Sequence, residues 1–158
     1  MTRILLAWTH LLALGIGLGA VWARSRALRD PVDVSSLRRA FAADTWWGIA
    51  AGIWLITGLW RLFAATEKST SYYMSNHFFM MKMGLFILIL ILELRPMITL
   101  GKWRRAVSKP DFDVGSISVV AKRISVISQV EAILVVLMVL AAVTMARGYG
   151  GNVPLIDT

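Results

Sequence analysis

Cysteine is absent from this 158-residue chain. Its absence excludes disulfides, thiolate metal sites and iron–sulfur clusters. Charge is scarce as well. Asp, Glu, Lys and Arg make up 16% of the residues, against about 25% in soluble domains. No nucleophile motif, acid–base pair or phosphate-cradling loop can be read, so the sequence assigns no enzymatic reaction. What remains is apolar: 58% of the residues are hydrophobic and the mean hydropathy is +0.68. Soluble domains carry roughly 45–50% on a comparable count. Too few polar side chains are left to coat a soluble globule, which excludes disorder and weighs against a soluble enzyme. The formal charge of +8 reads as cytoplasmic loop cations of a membrane protein, with no nucleic acid as partner.

Four apolar stretches are long enough to cross a lipid bilayer, which takes about 20 helical residues. They run from about residues 4–23, 45–63, 78–100 and 126–146. A backbone in lipid must satisfy its own hydrogen bonds, so each stretch is expected to be a helix. The fold class is therefore all-α, an integral membrane four-helix bundle, with residues 1–158 forming one transmembrane domain. The loops between spans one and two and between spans three and four hold eleven Lys and Arg residues, while the opposite side holds four. Lys82 and Arg95 lie within span three. The positive-inside rule then puts both long loops in the cytoplasm and both termini outside. Trp8 and Trp60 mark one membrane boundary, and Trp22, Trp46, Trp47 and Trp103 the other. A cleaved signal peptide is the competing reading of span one. His10 inside the apolar run and the arginines after it favour a retained helix.

Local signals add detail. Pro31 breaks the chain after span one, and Ser35 or Ser36 can cap a helix leading into span two. Ile117, Val120, Ala121 and Ile124 are spaced to extend span four at its start. The glycine-rich tail from Gly148 should end the last helix and lie loose. Gly15 and Gly19 on span one, and Gly48 and Gly52 on span two, are four apart. Small residues at that spacing let helix backbones approach in lipid, so a contact between spans one and two is expected there.

Ionisable residues within spans are costly and point to function or to a partner. At about 1.5 Å per residue, His10 and Lys82 share a depth in the outer half of the bilayer. His77 sits at the mouth of span three, and Arg61 at the outer end of span two. The inner half holds a second polar cluster, Asp44, Glu93, Arg95, Glu131 and Arg24. Lys82 and Glu93 are eleven residues apart, about three turns plus 20°, and so share one stripe facing the interior. Glu131 needs a basic partner, and Arg24, Arg95 or Arg123 can supply it.

Two ligand chemistries follow. A haem b needs an axial histidine from a bundle helix, which His10 could be, with His77 or Lys82 as a second ligand or a propionate contact and Arg61 on a propionate. Copper is the alternative: Met74, Met80, Met81 and Met83 surround His77. Thioether and imidazole suit Cu(I), so His10, His77 and Met80 would be its ligands. A third reading is a non-catalytic accessory subunit of a larger membrane complex, or a homo-oligomer, whose polar residues only fix helix packing.

The stretches AWTHLLALGIGLGAVWARSRALR, LRRAFAADTWWGIAAGIWLITGLWRLF and YYMSNHFFMMKMGLFILILILELRPM resemble a family of bacterial four-helix predicted membrane proteins with no assigned activity. The resemblance implies a multi-pass protein of the bacterial inner membrane, where the outer side to which the loop cations assign both termini is the periplasm. More distantly, His10, Gly19 and Arg24 are similar to a pattern in the CopD-type copper-resistance domain and the HemJ-type protoporphyrinogen oxidase. That similarity implies His10 as an axial haem ligand, Lys82 as its functional partner, and a cofactor that is haem b or a porphyrin.

Overall fold

Lipid leaves helix as the economical way to satisfy a backbone, and the computed structural model is built that way. It describes residues 1–29, 31–63 and 75–150. Four long helices account for most of them: α1 (Thr2–Ala27), α2 (Val34–Phe63), α3 (His77–Ala106) and α4 (Ser118–Ala146). A 3-10 turn, Gly115–Ile117, leads into α4 and extends it towards the preceding loop, as the spacing predicts. No strand occurs among the described residues. α1 packs along both α2 and α4, α3 packs along α4, and α2 barely touches α3. Consecutive helices run antiparallel. One end of the bundle therefore holds the start of α1 and α3, here the His10 end. The other holds the end of α1 and the start of α4, here the Arg24 end.

Burial is inverted relative to a soluble protein. Ile4, Leu5, Leu12, Ile87, Ile91, Ile98, Val119 and Leu140 are exposed, while His10, Arg24, Ser128 and Glu131 are buried. Apolar side chains facing outward and polar ones inward suit a hydrocarbon solvent. Two apolar clusters fill the interior. One joins Val21, Trp47, Ile89, Val135 and Met138, and the other joins Leu28, Leu37, Phe41, Leu100, Trp103 and Ile124 at the Arg24 end.

Three of the four expected spans lie in helices long and apolar enough to cross a membrane: Thr2–Ala27, His77–Ala106 and Gly115–Ala146. The stretch 45–63 is helical, but α2 does not join those three. Four tryptophans, Gly48, Gly52, Gly58 and Arg61 lower its hydropathy.

The helix ends correct two expectations. The cap of α2 is Asp33, not Ser35 or Ser36. Its Oδ1 accepts from the Ser36 N–H at 2.6 Å, and its own N–H donates to Ser36 Oγ at 2.9 Å. This reciprocal pair satisfies donors on both sides of the helix start. Hydrogen bonds from the Ser36 N–H and the Ser35 hydroxyl hold the Asp33 carboxyl below the usual carboxylate range. At the other terminus, Gly148 ends α4 with φ +90°, as expected, but the residues after it are docked. Asn76 caps α3 by accepting from the Phe78 and Phe79 N–H groups, and it donates to the Tyr149 carbonyl at 3.1 Å. The His77 N–H donates to the Gly150 carbonyl at 3.0 Å. Gly150 has φ +77°, and a Cβ there would lie 2.5 Å from the Phe78 ring. The tail from 151, like Lys68 and Met74, lies outside the described residues.

The expected glycine contact is also different. α1 and α2 do pack closely, but Gly15, Gly19, Gly48 and Gly52 have nothing within 4 Å of a would-be Cβ. The close approaches are at Gly17, 3.3 Å from the Trp47 ring, and at Gly58, 3.3 Å from the His10 ring.

Candidate functional site: a histidine cavity and an arginine clamp

His10, Gly17 and Arg24 are seven residues apart on α1, and all three are buried. Seven residues are nearly two turns, so they form one interior line. His10 and Arg24 anchor two sites of different character at its ends.

At the His10 end, Nδ1 of His10 lies 2.8 Å from Thr57 Oγ1. The single hydroxyl proton of Thr57 goes back to its own helix, to the carbonyls of Ile53 at 2.8 Å and Trp54 at 3.1 Å. With its proton directed there, the hydroxyl oxygen accepts from Nδ1–H. In that tautomer the Nε2 lone pair is available. Trp54 stacks on the imidazole with ring centroids 5.4 Å apart, and Phe86 meets Trp54 edge-on at 5.6 Å. Gly58 gives the ring room on the α2 side. The ring is thus fixed by a hydrogen bond, a stack and a backbone contact.

Beside it lies a cavity of about 340 Å³, with His10, Trp54, Arg61, Phe79, Lys82 and Met138 among its lining residues. Pockets for small organic ligands run to roughly 300–1,000 Å³. The walls are mainly apolar, and Arg61 and Lys82 supply two cations that act electrostatically on His10. Trp54 Nε1 is buried without a hydrogen-bond partner among the described residues, so it is a donor that a ligand could satisfy.

The structure thus brings together His10, Lys82 and Arg61. It does not bring His77 or Met80 to them. His77 is exposed, Met80 is 56% exposed, and neither lines the cavity. No group of three or more His, Cys, Asp or Glu residues suited to a metal ion occurs among the described residues.

At the other end, Arg24 is fully buried and uses every N–H it has. Nε donates to Ser128 Oγ at 2.9 Å. Nη1 donates to Asp44 Oδ1 at 2.9 Å and Glu93 Oε1 at 2.8 Å. Nη2 donates to Glu93 Oε2 and Glu131 Oε2, both at 2.7 Å. One guanidinium thereby ties α1 to α2, α3 and α4. Paired geometry of this kind is what makes a buried charge tolerable.

Arg24 is the partner that Glu131 was expected to need. Arg95 is not in the cluster: it is exposed. It follows Glu93 by two residues, about 200° around the helix, and cannot share that residue's face. Arg104 takes the place expected of it. Its Nη2 donates to the Phe41 carbonyl at 2.8 Å and to Thr45 Oγ1 at 3.1 Å, and lies 3.5 Å from Asp44 Oδ2. The sequence did carry a signal for Arg104. Lys82, Glu93 and Arg104 are each eleven residues apart, so the stripe found for the first two extends to the third. Thr57, Gly58 and Ser128 had no such signal, since each matters only through a contact with another helix.

No curated protein and no solved structure matches the chain, so the more distant similarity to CopD- and HemJ-type proteins has no counterpart in these comparisons. Residues 2–150 do match a family model, and on that match the chain belongs to the family described as "Predicted membrane protein (DUF2214)".

Proposed function

We propose that this membrane protein holds a tetrapyrrole, haem b or a porphyrin, in the cavity at the His10 end, for redox or tetrapyrrole handling. The observation that carries the reading is the His10 ring. It is locked on its Nδ1 side by Thr57, with Nε2 available, beside a mainly apolar cavity that also holds two cations. Metal-binding histidines are commonly oriented by such a hydrogen bond on the other ring nitrogen. The donor set fits the group: one imidazole for the metal, Arg61 and Lys82 for its carboxylate arms, and Trp54, Phe79 and Met138 as apolar wall. An iron porphyrin there would supply one-electron chemistry. The chain's own part is to bind and orient it, to exclude water with Trp54 and Phe79, and to neutralise its acids. Copper has weaker support, because His77 and Met80 stand apart from His10.

The proposal includes a setting. α2 crosses the membrane with the other three helices, because it is tied to α1 at both ends, by Thr57 to His10 and by Asp44 to Arg24. Those ties are 13 and 14 residues apart on their helices, about 20 Å of rise. In a bacterial inner membrane, the eleven-to-four distribution of cations puts the His10 end on the periplasmic side.

The test is the visible spectrum of the purified full chain, in mild detergent, after expression with haem supplied. A Soret band is expected for the parent, and none for His10→Ala in a bundle that still melts cooperatively. A colourless parent, or an equally pigmented His10→Ala, overturns the reading.

A further inference from the structure

The Arg24 clamp has more acid than its bases can match. Three carboxylates, Asp44, Glu93 and Glu131, converge on one guanidinium. Arg104 reaches Asp44 at 3.5 Å, from a position 45% exposed. With all three acids ionised, the five charged groups sum to −1. The excess is not spread evenly. Arg24 has no donor left, since its five N–H groups are all committed. Glu131 is fully buried, and its Oε1 has no hydrogen-bond partner among the described residues. Glu131 and Glu93 also share Nη2 of Arg24, which presses two carboxylate oxygens towards the same nitrogen. An unpartnered carboxylate oxygen in a low-dielectric interior is expensive, and a proton is the smallest ligand that removes the cost.

We propose that the clamp is a proton-binding site, with the proton on Glu131. Loading adds one H⁺ to the Glu131 carboxylate and takes the cluster from −1 to neutral. Oε2 continues to accept from Arg24, and Oε1 becomes the hydroxyl. The groups facing Glu131 are Arg24 from α1, Asp44 from α2 and Glu93 from α3, with Arg104 behind Asp44. Burial is graded along that set: the Glu131 side chain is 0% exposed, Glu93 and Asp44 are 17% and Arg104 is 45%. The gradient points to loading from the Arg24 end by way of Glu93 and Asp44. The site stands on different residues from the His10 cavity and does not depend on a tetrapyrrole.

The experiment is infrared difference spectroscopy of the purified full chain at neutral pH, in H₂O and D₂O. The parent should show the C=O stretch of a protonated carboxylic acid, shifted in D₂O. Glu131→Gln, which keeps the shape and neutrality of the loaded form, should fold with an unchanged melting temperature and lose that band. Asp44→Asn removes one negative charge elsewhere, so it should also weaken the band while Glu131 stays in place. Three results would overturn the proposal: no acid band in the parent, a band that survives Glu131→Gln, or a Glu131→Gln chain that fails to fold. A parent stabilised by sodium but not by potassium at equal ionic strength would mean that a metal cation balances the charge, and would overturn it as well.

Discussion

The two ends of the bundle handle buried polarity in opposite ways. At the Arg24 end, side chains from all four helices converge on one guanidinium that has no donor left over, and the one carboxylate oxygen beside it without a partner among the described residues is Glu131 Oε1. At the His10 end, the histidine and the tryptophan are each held in place and keep one polar atom without a partner among the described residues. His10 is fixed through one ring nitrogen with the other unused, Trp54 has an N–H without a partner among the described residues, and two cations line a cavity. A guanidinium with every donor used gives cohesion, and a fixed imidazole beside a cavity gives a place to bind. On the proposed function, the tetrapyrrole belongs to the His10 end, while the Arg24 end ties the four helices together.

The contrast can be broken most severely at Arg24. Arg24→Leu leaves three carboxylates facing one another in the interior. Breaking a buried ion cluster in this way costs about 3–5 kcal/mol. Thermal melts in detergent should show loss of the cooperative transition, whereas His10→Ala should keep it. Equal melting of both variants would remove the distinction between the two ends.

A smaller effect is expected when the shape of an acid is kept but its charge is not. Glu131→Leu strips Arg24 of an acceptor and should lower the melting temperature clearly, by the order of 1–3 kcal/mol for an unmet buried donor. Glu131→Gln should leave it unchanged. If both melt like the parent, the Arg24 end is not the cohesive one.

Gly58 sharpens the comparison on the other side. A Cβ there would sit 3.3 Å from a His10 ring already fixed by Thr57 and Trp54. Gly58→Ala should therefore tilt the imidazole and reduce bound pigment several-fold, with a melting shift under about 1 kcal/mol. Gly15→Ala, with nothing within 4 Å, should change neither.

The smallest effect is a pH response outside both sites. The Asp33 carboxyl is held below its ordinary range by the Ser36 N–H and the Ser35 hydroxyl. A depressed folded-state value means that this cap stabilises the protein above the ordinary carboxylate range and is lost as the pH falls through the lower folded value. Asp33→Asn should flatten the acid side of the stability profile slightly, and a profile identical to the parent's would show that the cap contributes nothing.

Much of this was legible in the sequence, for one physical reason: lipid admits few structures. Four helices could be placed from hydropathy, and depth along them put His10 level with Lys82 and Glu131 near Arg24. What was hidden depended on rotation about the helix axis and on contacts with other helices. Arg95 was placed in the cluster on depth alone, yet it points about 200° away from Glu93. The two glycine pairs matched a packing motif but face outward, while Gly17 and Gly58 make the close approaches. Asp33 caps α2 two to three residues earlier than the serines suggested. Thr57 holds Nδ1 of His10 from another helix, which no spacing along one helix could reveal.

The four-way bond at Arg24 has a consequence for how the protein is made. α1 enters the bilayer carrying a bare guanidinium, and its first carboxylate arrives with Asp44 on the next helix. That hairpin is electrically balanced and can wait. α3 and α4 then each bring an acid whose cationic partner sits on α1. A nascent chain halted before α4 leaves Arg24 without the acceptors Ser128 and Glu131. The insertion machinery would then be holding an unfinished polar junction until α4 docks.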